Sequence, residues 1–184
     1  MSISPRLFAG LARNERGSAA VEFAVIVPIM LTLFFGVVEF SSGIAVDRKV
    51  TLVGRTLSDL TSQSTCVTQS DLDGFTITAK AIMTPYSTTP LLSTITQVYV
   101  DNNLDAKVSW SKGSAPRGNG SGVSIPTGLK VKETYLIMAE VEYLYKPMGG
   151  VNYVMSSAGV NLKDQTYTRP RQAASVTFKA TSCA

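Results

Sequence analysis

One apolar run near the N-terminus limits what this chain can become. From Ser18 to Val46 it reads SAAVEFAVIVPIMLTLFFGVVEFSSGIAV, and the sixteen residues from Phe23 to Val38 carry no charge. At a helical rise of about 1.5 Å per residue, roughly 20 such residues cross the hydrocarbon core of a bilayer. The run therefore predicts one membrane-spanning helix over residues 18–46, in contact with lipid. Composition agrees: only 16% of the 184 residues are charged, against about 25% in ordinary soluble domains. A discarded signal peptide fits less well, although Gly43-Ile44-Ala45 imitates a small-residue cleavage site. Its apolar core is usually about 7–15 residues long, and here Glu22 and Glu39 bracket the run. A carboxylate at membrane depth is costly and normally has a partner or a task.

The flanks set direction and continuation. Residues 1–17 form a short basic leader, with Arg6, Arg13 and Arg16 against Glu15. Basic residues stay on the cytoplasmic side, which places the N-terminus there, although Arg48 and Lys49 on the far side narrow the bias. Beyond the membrane run, Val46, Val50, Val53, Leu57 and Leu60 step by four and three, an apolar stripe on one helix face. The pattern predicts one helix from about Ala19 to about Gln63. It is bent at Pro28, which removes a backbone hydrogen bond, and residues 47–65 pack on a head formed by residues 66–184.

In the head, Ser70 as N-cap with Leu72, Phe75, Ala79 and Ile82 at helical spacing predicts a shorter helix ending before Pro85. The rival is a strand through Phe75–Thr78, whose residues alternate. Ile95–Val100 and Ala106–Trp110 read as a hairpin. Thr134–Tyr145, Gln165–Thr168 and Ala174–Ala180 are further strand candidates, and Gly113–Gly122 reads as a flexible loop with nothing to bury. The expected class is α+β: a long N-terminal helix against a small, mainly antiparallel sheet, with one short additional helix.

The side-chain inventory argues against catalysis. The chain has no His, which removes the commonest general base and the commonest transition-metal ligand. Cys66 and Cys183 are the only cysteines; an even count outside the cytoplasm reads as one disulfide. The basic residues are scattered and few aromatics lie among them, so no nucleic-acid groove is indicated. Glu140 and Glu142 share a strand face, as acid–base or Ca²⁺ pairs do, but alternation already explains them as an outer polar face. Asp71 and Asp73 fit a helix start. Gly118–Gly122 lacks the Lys-Ser or Lys-Thr that closes a phosphate loop, and Arg169-Pro170-Arg171 reads as a solvated loop, its rival being a grip on a carboxylate or a partner surface. No catalytic residue, metal ligand or cofactor site is expected.

The informative segment is Arg16-Gly17-Ser18-Ala19-Ala20-Val21-Glu22-Phe23. A Gly, four small or apolar residues, a Glu and then an apolar helix resembles the processing site of the type IV prepilin superfamily. Further on, Val21-Glu22-Phe23-Ala24, Pro28 and Gly36-Val37-Val38-Glu39-Phe40 resemble the TadE-like (TadE/TadF) pseudopilins of the tight-adherence, or Flp, pilus assembly system. The likeness is specific over about Arg16–Gln63 and looser through the Trp110 strand and the stretch Tyr167–Arg171. TadG-type relatives carry a large extra domain, for which this length leaves no room.

The resemblance implies cleavage by a prepilin peptidase between Gly17 and Ser18, at the cytoplasmic face of the bacterial inner membrane. It implies a head in the periplasm or outside the cell, and partners among pilin-like subunits and the inner-membrane assembly platform. Glu22, fifth in the mature chain, would meet the new α-amine of a neighbouring subunit. Glu39 is a second intramembrane carboxylate. The implied role is pilus assembly, adhesion and biofilm formation without enzymatic activity. The competing reading is an extracytoplasmic binding or enzymatic domain on a plain signal anchor.

Overall fold

A computed structural model of the chain describes residues 16–147 and 159–183. Helix α1 runs from Arg16 to Ser62 without a break, through Pro28. It starts three residues before the expected Ala19. The chain divides into two compact units: α1 up to Ser42 belongs to one, and Gly43–Lys146 with the segment from Ser157 onward makes the other. In the first, the apolar side chains of α1 stand exposed, among them Phe23, Ile29, Phe34 and Val37. No part of its most apolar window is buried.

The second unit is α+β. β1 (Cys66–Val67) leads into α2 (Gln69–Ala81), followed by β2 (Leu91–Val100), β3 (Ala106–Gly113), β4 (Thr134–Tyr145), β5 (Val160–Thr168) and β6 (Thr177–Phe178). Four strands form one antiparallel sheet in the order β3-β2-β4-β5, while β1 and β6 pair separately and in parallel. The helical reading of residues 70–84 holds against its strand rival. The cap, however, is Thr68 and not Ser70: Thr68 and Asp71 close a reciprocal capping box, which satisfies two otherwise orphaned backbone donors.

The stripe on α1 does what its spacing predicts. Val46, Val50, Val53 and Leu57 are fully buried against Ile137, Ala139 and Val141 of β4, and each such side chain contributes about 1.5–3 kcal/mol of transfer free energy. Leu60 is only partly buried; the next buried positions are Thr61 and Ser62. Their hydroxyls, like that of Ser58, return to carbonyls of the same helix, so the helix ends on a buried polar face whose donors are satisfied.

The opposite face of the sheet is also covered, which the sequence reading did not foresee. Val98, Val100, Leu136 and Met138 form a second cluster with Ile125, against which Val123 and Leu129 pack. Beyond Gly113, where β3 ends, the segment to Gly122 is the expected exposed loop, with nothing buried. Its backbone bonds along β3, through Ser121 O to Val108 N and Ala106 O to Val123 N, and Arg117 clamps it to Glu140. The loop thus closes the edge of β3, which would otherwise present unpaired backbone groups. Gly113 itself has φ near 134°, and a side chain there would run into the Ser93 carbonyl.

Four expected strands change length: β2 begins at Leu91 and not Ile95, and β3 runs past Trp110 to Gly113. Gln165–Thr168 is the last half of β5, which begins at Val160, and only Thr177–Phe178 of Ala174–Ala180 is strand. Around that pair the C-terminal segment crosses the head as a strap. The Arg171 backbone N–H donates to Ser62 O at the end of α1, and Arg171 pairs with Asp59 at 2.7 Å. Val176 is fully buried. Its N–H donates to Gln97 Oε1, and its carbonyl accepts from Trp110 Nε1. Cys183 is bonded to Cys66. Arg171 is therefore not merely part of a solvated loop: its side chain and backbone both hold the C-terminal end of α1.

Candidate functional site

The residues singled out from sequence lie along the first unit's stretch of α1. Gly17 is the second residue of the helix, exposed, with nothing within 4 Å of where a side chain would begin. Its peptide to Ser18 lies in the first turn, whose N–H groups have no partner within the helix. The leader before Arg16, with Arg6, Arg13 and Glu15, lies outside the described residues. Glu22 is exposed and Glu39 partly buried. They are seventeen helical steps apart, about 26 Å along the axis, close to the roughly 30 Å of a hydrocarbon core. Pro28 lies between, with no N–H to give to the carbonyl of Ala24 four residues back. The Thr32 hydroxyl donates to the Pro28 carbonyl at 2.8 Å. The ring of Phe34 meets that of Phe35 edge-on, their centroids 5.5 Å apart.

The structure does not gather these residues into a pocket. They are distributed along one helix, as a lengthwise packing surface would be. In the second unit, Glu140 accepts from Arg117 and Gln165, and Glu142 from Lys163. Both stand on the sheet face opposite α1, while Val141 and Tyr143 face the core. Asp71 is committed to its capping box, and Asp73 accepts from Gln69. Among the described residues, no three of His, Cys, Asp and Glu group to hold a metal ion. One open cleft of about 660 Å³ is lined by Ile125, Lys163, Gln165 and Tyr167 among others. Burial, more than the nearby Glu140, raises the Tyr167 phenol above its ordinary range.

The family model described as TadE-like protein matches residues 17–56. That span opens on Gly17 and takes in Glu22, Pro28 and the Gly36–Phe40 motif, then continues into the buried stripe. Over this segment the chain is similar to TadE-like proteins. No curated protein and no solved structure matches it. The family connects a TadE-like chain with Tad pilus systems, and proteins of this family are generally non-enzymatic. The exposed apolar half of α1 is compatible with a single-pass membrane anchor.

Reading the sequence missed residues whose work is structural. Gly54 is one. It is buried, and a side chain there would begin 3.2 Å from Thr166 Oγ1 and 3.5 Å from Val141 Cγ2. A Gly inside a helical stripe, set between Val53 and Leu57, marks a close approach to another element. Gln97 is another, a buried amide at an otherwise apolar strand position. Its oxygen holds the backbone of the strap, a partner 79 residues away that no local pattern encodes.

Proposed function

We propose that this chain is a membrane-anchored, pilin-like subunit that serves the assembly of tight-adherence pili, and through them adhesion and biofilm formation, by contact and not by catalysis. The observation that carries the reading is a coincidence of positions. The family match begins at Gly17 and runs along the half of α1 whose apolar side chains are exposed. In this reading residues 1–17 are a leader removed by a prepilin peptidase, and Ser18–Val46 crosses the inner membrane with its N-terminus in the cytoplasm. The head from Cys66 onward lies on the other side. The partners are that peptidase, other pilin-like subunits and the inner-membrane assembly platform.

Cleavage changes the electrostatics of the helix start in a way that gives Glu22 a task. In the uncut chain Glu22 is the seventh residue of α1; after a cut behind Gly17 it is the fifth of the chain. It then lies within a turn or so of a positive helix end and of a new α-amine. Both favour a carboxylate, and the first acts only within about one turn. Packed beside a second helix in lipid, the carboxylate of one chain and the amine of the next have strong reason to pair, since neither is solvated there. That pairing would fix the axial register between subunits. The first turn must open for cleavage, which costs little, because its N–H groups are not yet bonded within the helix.

Intact-mass measurement on protein from its native membrane tests the processing. The expected species begins at Ser18, having lost Arg6, Arg13, Arg16 and Glu15, so that its formal charge falls from +4 to +2. A native species beginning at Met1, or after Ala45, would overturn the reading. Replacing Gly17 with a bulky residue is expected to leave the precursor uncut. Glu22→Ala, at matched protein level in a deletion strain, is expected to abolish surface pili while the mutant chain is still cleaved.

A further inference from the structure

One end of the second unit combines features that a soluble surface has no need of. The chain enters this unit at Gly43, where a side chain would begin 3.7 Å from the ring of Tyr145. β4 ends at Tyr145, and β5 begins opposite it at Val160. Around this end three apolar side chains stand in the open: Ile44 at 41%, Leu144 at 36% and Val160 at 48% exposure. Arg48 and Lys146 are exposed beside them, with Asp47 the acidic residue of the α1 segment. Lys49 is already used: its ammonium donates to the carbonyls of Ile82 and Thr84 just after α2, at 2.8 and 2.9 Å. The opposite end of the sheet has another character. There Asp101 is bonded to Lys107 and to the backbone of Asn103 and Asp105, a turn closed on itself.

We infer that the Gly43 end of the head is a lipid-seating surface, in which Ile44, Leu144 and Val160 dip into the headgroup region while Arg48 and Lys146 contact anionic headgroups. The occupant follows from continuity and from charge. An apolar helix leaves this end through Ser42, so a bilayer crossed by it begins here, and this inference rests on that membrane reading. Aliphatic side chains mixed with Tyr and with Lys or Arg are what the interface favours, where apolar area and attraction to anionic lipid act together. The surface also accounts for Arg48 and Lys49 on the side of the membrane opposite the basic leader. One meets phosphate, and the other caps carbonyls of the head.

The test uses the full chain in nanodiscs of phosphatidylethanolamine and phosphatidylglycerol, with lipids brominated near the carbonyl or deep in the acyl chain as fluorescence quenchers. Three variants each add one Trp at an exposed site: Phe34→Trp in the apolar helix, Leu144→Trp at the proposed seat and Leu104→Trp at the opposite turn. Native Trp110 is a buried, constant background. The deep quencher is expected to dim Phe34→Trp. The shallow quencher is expected to remove about half of the emission added by Leu144→Trp, as for an interfacial indole, and to leave Leu104→Trp unchanged. Adding Arg48→Glu and Lys146→Glu to Leu144→Trp is expected to restore most of that emission. Quenching of Phe34→Trp without quenching of Leu144→Trp overturns the seat and leaves the anchor standing. An unquenched Phe34→Trp overturns the membrane reading itself, and the seat with it.

Discussion

At the scale of single residues, Gly54 decides how closely α1 approaches the sheet. Alanine there gains up to about 1 kcal/mol of helix propensity over glycine and presses on Thr166 Oγ1 at 3.2 Å, so the two effects nearly cancel. Leucine has no room at all. Gly54→Leu is expected to lower head stability by about 1–3 kcal/mol, as overpacked cores do, while Gly54→Ala stays within about 1 kcal/mol of the parent; urea titration of both variants checks this. Two carboxylates give the head a dependence on acid. The Thr68 backbone N–H, and then its hydroxyl, hold the Asp71 carboxyl below its ordinary range. The Lys107 ammonium, and then backbone donors, do the same for Asp101. Both values are depressed by folding. Their stabilisation is therefore complete above the ordinary carboxylate range, near pH 4, and is lost as pH falls through the folded-state values. Urea midpoints measured at about pH 5 and about pH 3 are expected to fall less in an Asp71→Asn, Asp101→Asn double variant than in the parent. An equal fall would remove these two groups from the acid response.

At the scale of elements, the strap from Arg169 to Cys183 joins parts that the sheet ladder does not. Trp110→Phe removes the donor to the Val176 carbonyl and leaves that carbonyl buried, a loss expected to be about 1–3 kcal/mol. Cys183→Ser opens a covalent loop with a sequence separation of 117, for which chain entropy gives about 4–5 kcal/mol before any strain is subtracted. Thermal unfolding of the two variants is expected to rank Cys183→Ser below Trp110→Phe, and the reverse order would show that the strap holds mainly through Val176. The strap also marks where sequence reading stops. α1 was legible because Val46, Val50, Val53 and Leu57 repeat at the helical period, and β4 because twelve residues of strand formers end at a Pro. The start of α2 was legible to within two residues: Ser70 is a credible cap, but Thr68 stands three before Asp71, as a capping box requires. β5 was half seen because Asn161 and Lys163 alternate outward and make its first half look like loop. β6 was expected over Ala174–Ala180 but is two residues long, since its ladder partner β1 is equally short and the Val176 backbone beside it bonds to the side chains of Gln97 and Trp110. On α1 itself Gly17, Glu22, Pro28 and Glu39 were legible as a motif, for motif residues sit at fixed intervals in one chain. What they meet in a second chain is written in no single sequence.

At the scale of the whole molecule, the two units make separable predictions. Glu22 belongs to one and every core contact of the head to the other, and sites with no shared partners act additively. Glu22→Ala is expected to leave head unfolding within about 0.5 kcal/mol of the parent and to leave limited-proteolysis patterns unchanged, even where piliation is lost. A head degraded in that variant would assign the defect to folding and remove Glu22 as an assembly contact. Cys183→Ser is expected to do the converse, weakening the head while the anchor still inserts. The place of the strap has one more consequence, in time and not in space. Synthesis runs from the N-terminus, so Cys66, Gln97 and Trp110 are made well before Val176 and Cys183. Until those two residues are made, Gln97 and Trp110 lack their strap partner and Cys66 has no sulfur to meet. The strap of a growing chain is thus the last part of the head to be made, and on the proposed membrane reading the head locks only after that segment has crossed.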